Sequence, residues 1–80
     1  PVDAITLDKV PVGAKADVVR VGGDRVVRRR LMEMGLVRGE RVRIQCVAPL
    51  GDPIELRVKG YALALRRSEA RSIQVRVTND

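Results

Sequence analysis

The sequence predicts a mainly β fold: a small antiparallel barrel of about five strands, with one α-helix between the first two strands and short helical turns elsewhere. Three observations predict it. Several short segments alternate apolar and polar residues with period two. Gly and Pro punctuate the chain at hairpin spacing. One stretch alone, 24–35, switches to helical spacing and carries both a start and a stop signal. At 80 residues, with no repeat or linker, the chain reads as one domain spanning 1–80, with a compact core and modest stability.

The elements follow in order. Residues 4–13 read as a lead-in. Thr6 is placed to cap a short turn whose Leu7 and Val10 plug one end of the core, and Pro11 and Gly13 end it. Ala14, Ala16 and Val18 then alternate, and Val19 and Val21 continue on the opposite parity, which predicts a strand over 14–21 with a bulge or bend. Gly22-Gly23 breaks the strand and Asp24 fits an N-cap. Val27, Leu31 and Met34 share one helical face, while Arg28, Arg29 and Arg30 point mostly elsewhere. Gly35 suits the left-handed position past the helix end, with Leu36 folding back on Leu31.

Three strands then alternate. Val42, Ile44 and Cys46 interleave with Arg41, Arg43 and Gln45. Ile54, Leu56 and Val58 interleave with Glu55, Arg57 and Lys59, and Tyr61, Leu63 and Leu65 with Ala62, Ala64 and Arg66. Pro49-Leu50-Gly51-Asp52-Pro53 is a dense turn, and Gly60 marks a tight hairpin. Ser68-Glu69-Ala70 reads as one capped helical turn. Ile73, Val75 and Val77 form a last strand, and Thr78-Asn79-Asp80 a frayed tail. Asp24, Gly35, Gly39, Gly51 and Gly60 are the expected caps and turn formers.

Composition bounds the chemistry. With 45% apolar and 32% charged residues, the chain is globular rather than disordered. Tyr61 is the only aromatic residue and its parity points inward, so aliphatic side chains fill the interior. The formal charge of +6 favours an acidic partner: nucleic acid, an anionic membrane surface or an acidic protein face. The same balance also serves simple solubility. A lone cysteine forms no internal disulfide, which suits a reducing compartment. No apolar run approaches the roughly 18 residues of a membrane span, and Pro1-Val2-Asp3-Ala4 lacks the features of a signal peptide. The expected location is the cytosol, with the membrane reached only through a partner.

The expectation is that the chain is not an enzyme. It contains no histidine, the commonest general base and transition-metal ligand. Cys46 sits on the apolar parity beside Ile44 and reads as a buried structural thiol. Met32 and Met34 with Cys46 could be drawn as a soft metal site, but the two methionines diverge on a helix, and core filling by Met34 is the simpler reading. No metal ligand and no cofactor are therefore assigned. Gly22-Gly23-Asp24 lacks the Lys and Ser/Thr of a phosphate loop and reads as a turn. The run Arg28-Arg29-Arg30 is either an anion-gripping patch or the solvated face of an amphipathic helix, with Arg29 near Glu33; the solvated face is favoured. A barrel that binds nucleic acid commonly adds stacking aromatics, which are missing here apart from Tyr61.

Four stretches together resemble one family. They are Val21-Gly22-Gly23; Arg30-Leu31-Met32-Glu33-Met34-Gly35-Leu36-Val37-Arg38-Gly39; Ala48-Pro49-Leu50-Gly51-Asp52-Pro53-Ile54; and Leu63-Ala64-Leu65-Arg66-Arg67-Ser68-Glu69-Ala70. In this order and spacing they resemble the ferrous-iron transport protein A family, FeoA. One departure is Arg38, where family members often carry Pro. The resemblance implies an SH3-like barrel in the bacterial cytosol, a regulatory subunit of ferrous iron transport. The implied partner is the membrane permease FeoB, through its cytosolic G-protein domain. The helix and its exit, with Arg28, Arg29, Leu36 and Val37, are the expected docking surface, and Leu50 is a second exposed apolar candidate. The competing reading makes Leu36 a helix staple and Leu50 a barrel cap. The alternative functions are a basic barrel that binds nucleic acid and the metal-responsive SH3-like module related to iron-dependent repressors, so transition-metal binding stays within scope. A GTPase activator inserting Arg28, Arg29 or Arg30 is a further reading.

Overall fold

The computed structural model describes residues 4–78. The expectations for Pro1-Val2-Asp3 and for the tail residues Asn79-Asp80 fall outside them. Along the chain come β1 (Ile5–Thr6), a 3-10 turn (Leu7–Lys9), β2 (Lys15–Val21), α1 (Arg25–Glu33), β3 (Arg41–Val47), β4 (Ile54–Val58), β5 (Tyr61–Leu65), α2 (Arg67–Ala70) and β6 (Ile73–Thr78). The strands form one antiparallel sheet in the order β1-β6-β2-β3-β4-β5. This is the mainly β, antiparallel architecture that the alternation predicts. The added strand is β1, whose two residues are too short to show a period and are held by pairing with Val75 and Gln74 of β6. Thr78, expected to fray, is the last residue of β6 and pairs with Lys15.

The period-two reading places the core. Ile54, Leu56 and Val58 of β4 are buried while Glu55 and Arg57 face out. Val42 and Ile44 of β3 and Ile73 and Val75 of β6 meet them inside. Among the described residues the buried set is wholly apolar and aliphatic. Tyr61 departs from the inward expectation: it is 42% exposed at the start of edge strand β5, and its hydroxyl donates to the Met34 carbonyl. A phenol lying across the helix end satisfies its polar tip there, which an aliphatic interior could not do. The β4–β5 hairpin turns on Lys59-Gly60, with φ of 53° and 84°, the paired positive values of a type I′ turn.

No ladder is recorded between β5 and β1 among the described residues, so the barrel is sealed there by helical turns. Leu7 is fully buried from the 3-10 turn, and Ala70 is fully buried from α2. Thr6 precedes that turn but makes no side-chain capping bond, contrary to the expected cap. Arg67 holds the seam together. Its side chain donates to the Gly51 carbonyl at 2.8 Å and the Asp8 carbonyl at 3.2 Å, and its amide donates to the Asp52 carboxylate at 3.0 Å. The Asp8 carboxylate also lies 3.7 Å from Arg71.

Helix α1 begins and ends on the predicted signals. The Asp24 carboxylate accepts from the Val27 amide at 2.9 Å. The exit is a Schellman turn, with Leu36 donating to the Leu31 carbonyl at 3.1 Å and Gly35 to the Met32 carbonyl at 3.0 Å. Gly35 has φ +97°, and a Cβ there would meet the Tyr61 hydroxyl at 2.7 Å. Gly39 has φ +90° but nothing within 4 Å of where its Cβ would be. Gly39→Ala is therefore expected to cost ~1 kcal/mol in urea unfolding, the cost of the left-handed backbone alone. Gly35→Ala is expected to cost roughly twice that or more, because steric overlap adds to it. Equal losses for the two variants would contradict the packing described at the helix exit.

Candidate functional site: the outer face of α1

Only Leu31 of α1 is fully buried, with Val27 half-buried against the core. The rest of the helix faces out, and its surface is not uniform. Three consecutive arginines meet three different fates. Arg29 pairs with Glu33 one turn on, at 3.4 Å and well exposed; such a pair contributes little to stability. Arg30 is held by Glu69 of α2. The Arg28 guanidinium has no ion-pair or hydrogen-bond partner among the described residues. One turn apart on the outer side, Arg28 and Met32 stand between two open recesses. The outer recess, of about 720 Å³, is lined by Arg25, Arg28, Arg29, Met32, Glu33 and Val37. It presents an apolar strip, Met32 and Val37, with guanidinium groups around it. This composition of apolar centre and charged rim is the kind that protein interfaces use.

The predicted docking residues divide accordingly. Arg28, Arg29 and Val37 come together in this recess. Leu36 does not, which corrects its place on the docking surface: it is fully buried beneath the Schellman turn, packed with the core. Leu50 is 97% exposed in the β3–β4 turn and lines neither recess. The reading of Leu50 as a barrel cap is thereby overturned. Gly51, next to it with φ +90°, presents its carbonyl to Arg67. Met32, 41% exposed, was not among the predicted docking residues. Its helical position opposite Leu31 and Met34 is the signal that marks it as outward.

Cys46 is free and exposed, against the expectation of a buried thiol. The register shifts between Ile44 and Cys46: Ile44 faces Leu56 but Cys46 faces Glu55. The bulge inserts Gln45 and moves Cys46 to the outer face. Among the described residues, no three His, Cys, Asp or Glu side chains are grouped to hold a metal ion. No helix among them is long and apolar enough to cross a membrane.

The fold and these surfaces define a small SH3-like domain with two open recesses beside α1. A family model described as the FeoA domain matches residues 5–77, and the chain belongs to that family. It is 41% identical over 69 residues to an Fe(2+) transport protein A/Fe(2+) transporter FeoB fusion protein of Porphyromonas gingivalis. That match covers 86% of this chain, which spans only 8% of the length of that relative. Among solved structures, an FeoA-like protein from Clostridium acetobutylicum is 44% identical with a TM-score of 0.89, covering 96% of this chain and 90% of that one. FeoA of Stenotrophomonas maltophilia, solved in complex with zinc and described as an SH3 domain protein, is 36% identical with a TM-score of 0.79, covering 89% and 88%. A manganese-dependent transcriptional repressor shares the fold alone, at 19% identity and a TM-score of 0.87.

Two measurements check the assignments of this surface. Leu36→Ala is expected to lower the unfolding free energy by roughly 2–5 kcal/mol, while Leu50→Ser changes it by less than about 0.5 kcal/mol. In the folded protein Cys46 is expected to react with a small disulfide reagent as fast as a solvated thiol of a short peptide does. Protection that disappears only on unfolding would show the thiol to be inside.

Proposed function

We propose that this domain is an accessory, non-catalytic module of bacterial ferrous iron uptake that acts in the cytosol by docking on the cytosolic G-protein region of the FeoB-type membrane transporter. The observation that carries the reading is the fusion relative, in which a homologous segment is covalently joined to that transporter. Joining two partners in one chain raises their effective concentration, which serves a contact that is weak between separate proteins. The outer recess beside α1 supports the same reading. Met32 and Val37 supply apolar area to bury, and Arg25, Arg28 and Arg29 supply a basic rim that steers an acidic face toward it. The area is small, in keeping with a transient contact rather than an obligate one.

The test is capture of the purified cytosolic region of the transporter by the intact domain, read by titration. The wild-type domain is expected to bind, and Met32→Asp/Val37→Asp to bind roughly tenfold or more weakly, since each places an unpaired charge in the contact. Thermal unfolding of the variant stays close to wild type because both side chains lie outside the core. No binding by the wild-type domain, with normal ferrous iron uptake in cells lacking it, removes the proposal.

A further inference from the structure

The inner of the two recesses beside α1 lies between the helix and the end of β2, with a volume of about 710 Å³. Its construction is specific. In the β2–β6 ladder Val18 faces Val75 and Arg20 faces Gln74, so Val19 is the extra residue of a bulge. The bulge turns the strand, and Arg20 is exposed at its end. At the bulge, Gly39 donates to the Val18 carbonyl and Val18 to the Glu40 carbonyl, both at 2.8 Å, which fastens the loop carrying Arg38 against β2. The Gly22 amide donates to the Ser72 carbonyl at 2.6 Å, and a Cβ on Gly23 would meet the Ser72 hydroxyl at 3.1 Å. The start of α1 is thus anchored to the segment before β6. From that start the helix presents Arg28 and Met32 to the recess.

Three arginines from three separate segments, Arg20, Arg28 and Arg38, therefore line one concavity, with the Gln74 amide beside them. Among the described residues no carboxylate lines it. Arg29, Arg30, Arg41, Arg57 and Arg67 each reach a carboxylate or a carbonyl. The side chains of Arg20, Arg28 and Arg38, like those of Arg25, Arg43 and Arg76, reach none among the described residues, and of these it is Arg20, Arg28 and Arg38 that share the inner recess. Guanidinium groups stay charged at any physiological pH and match phosphate oxygens with paired N–H donors. Gathering unpaired cations around one recess costs free energy through their mutual repulsion, and a multiply charged anion reverses the sign of that cost.

We propose that this recess binds a phosphate-bearing anion, gripped by Arg20, Arg28 and Arg38 and supported by Gln74. The site goes beyond the docking function, and Arg20 and Arg38 lie off the outer recess, so failure of one proposal is separable from failure of the other. The test is an NMR titration of the folded, labelled chain with tripolyphosphate at constant ionic strength, alongside sedimentation with phosphatidylglycerol vesicles against phosphatidylcholine vesicles. Saturable perturbation confined to the amides of residues 19–23, Arg28 and Arg38 is expected. Arg20→Ser/Arg38→Ser should weaken binding by roughly tenfold or more per guanidinium lost. Arg43→Ser/Arg76→Ser, which removes the same charge elsewhere on the sheet, should hold it within about twofold, because screened surface charge acts weakly at a distance. Binding in either arm that Arg20→Ser/Arg38→Ser selectively abolishes supports the site, and the arm names the source as a free phosphate or a lipid headgroup. Diffuse, unsaturating shifts, or equal losses in the two double variants, overturn it.

Discussion

An aliphatic interior has to be sealed by a sheet whose hydrogen-bonded ladder does not run all the way round, and the rest of the molecule follows from that constraint. Among the described residues Leu, Ile, Val and Ala supply the whole buried set, with no polar or charged residue in it to fix its geometry. Specificity therefore comes from the backbone at the margins. Leu7 and Ala70 close the seam between β1 and β5, tied across it by Arg67. Leu31 and Leu36 close the side covered by α1, tied by the Schellman bonds and by Tyr61 on the Met34 carbonyl. Each seal is made by a short segment that offers one or two apolar side chains inward and leaves its other faces to water. The outer surface of α1 is available for function because the core needs so little of the helix.

Much of this was legible in the sequence. The alternation of β4 is unbroken, and the residues it marks as inward are buried. Asp24 and Gly35 bracket α1 because capping is local chemistry: a side-chain oxygen near a free amide, and a residue that tolerates positive φ. The bulge in β2 could be seen because Val18 and Val19 break the parity in the sequence itself. The bulge in β3 could not. Ile44, Cys46 and Val47 are all apolar, so the slip that turns Cys46 outward leaves no trace in the pattern, and only the partner strand reveals it. Strand β1 was invisible because two residues have no period. Leu50 was ambiguous because a turn residue's burial depends on what packs over the turn, which no local signal encodes.

The candidate site shows the same division between local and assembled information. The run Arg28-Arg29-Arg30 invites treatment as one patch because the residues are adjacent. Helical geometry sends them in three directions, and long-range packing decides the rest. Glu69, almost forty residues away in sequence, takes Arg30. Glu33 takes Arg29 through an ordinary one-turn spacing. Arg28 is left over, and the residues that join it in the inner recess, Arg20 and Arg38, come from a strand end and a loop. Nothing in their separation along the chain marks them as a group. The bulge at Val19 and the Gly39–Val18 bond create that group.

The two recesses share a wall. Gly23, Arg28 and Met32 line both, one on each side of the helix surface. A ligand that fixes the Arg28 side chain in the inner recess withdraws it from the outer one, and a partner that covers Met32 from outside restricts the inner opening. If both proposed ligands bind, their occupancies are coupled through these shared residues, and the coupling is reciprocal by linkage: whatever factor the anion applies to partner affinity, the partner applies to anion affinity. No large movement of the barrel is required, because a single flexible side chain on a rigid helix carries the exchange. Under the two proposals, a basic domain whose described core is aliphatic would respond to a small charged ligand at its surface while that core stays unchanged.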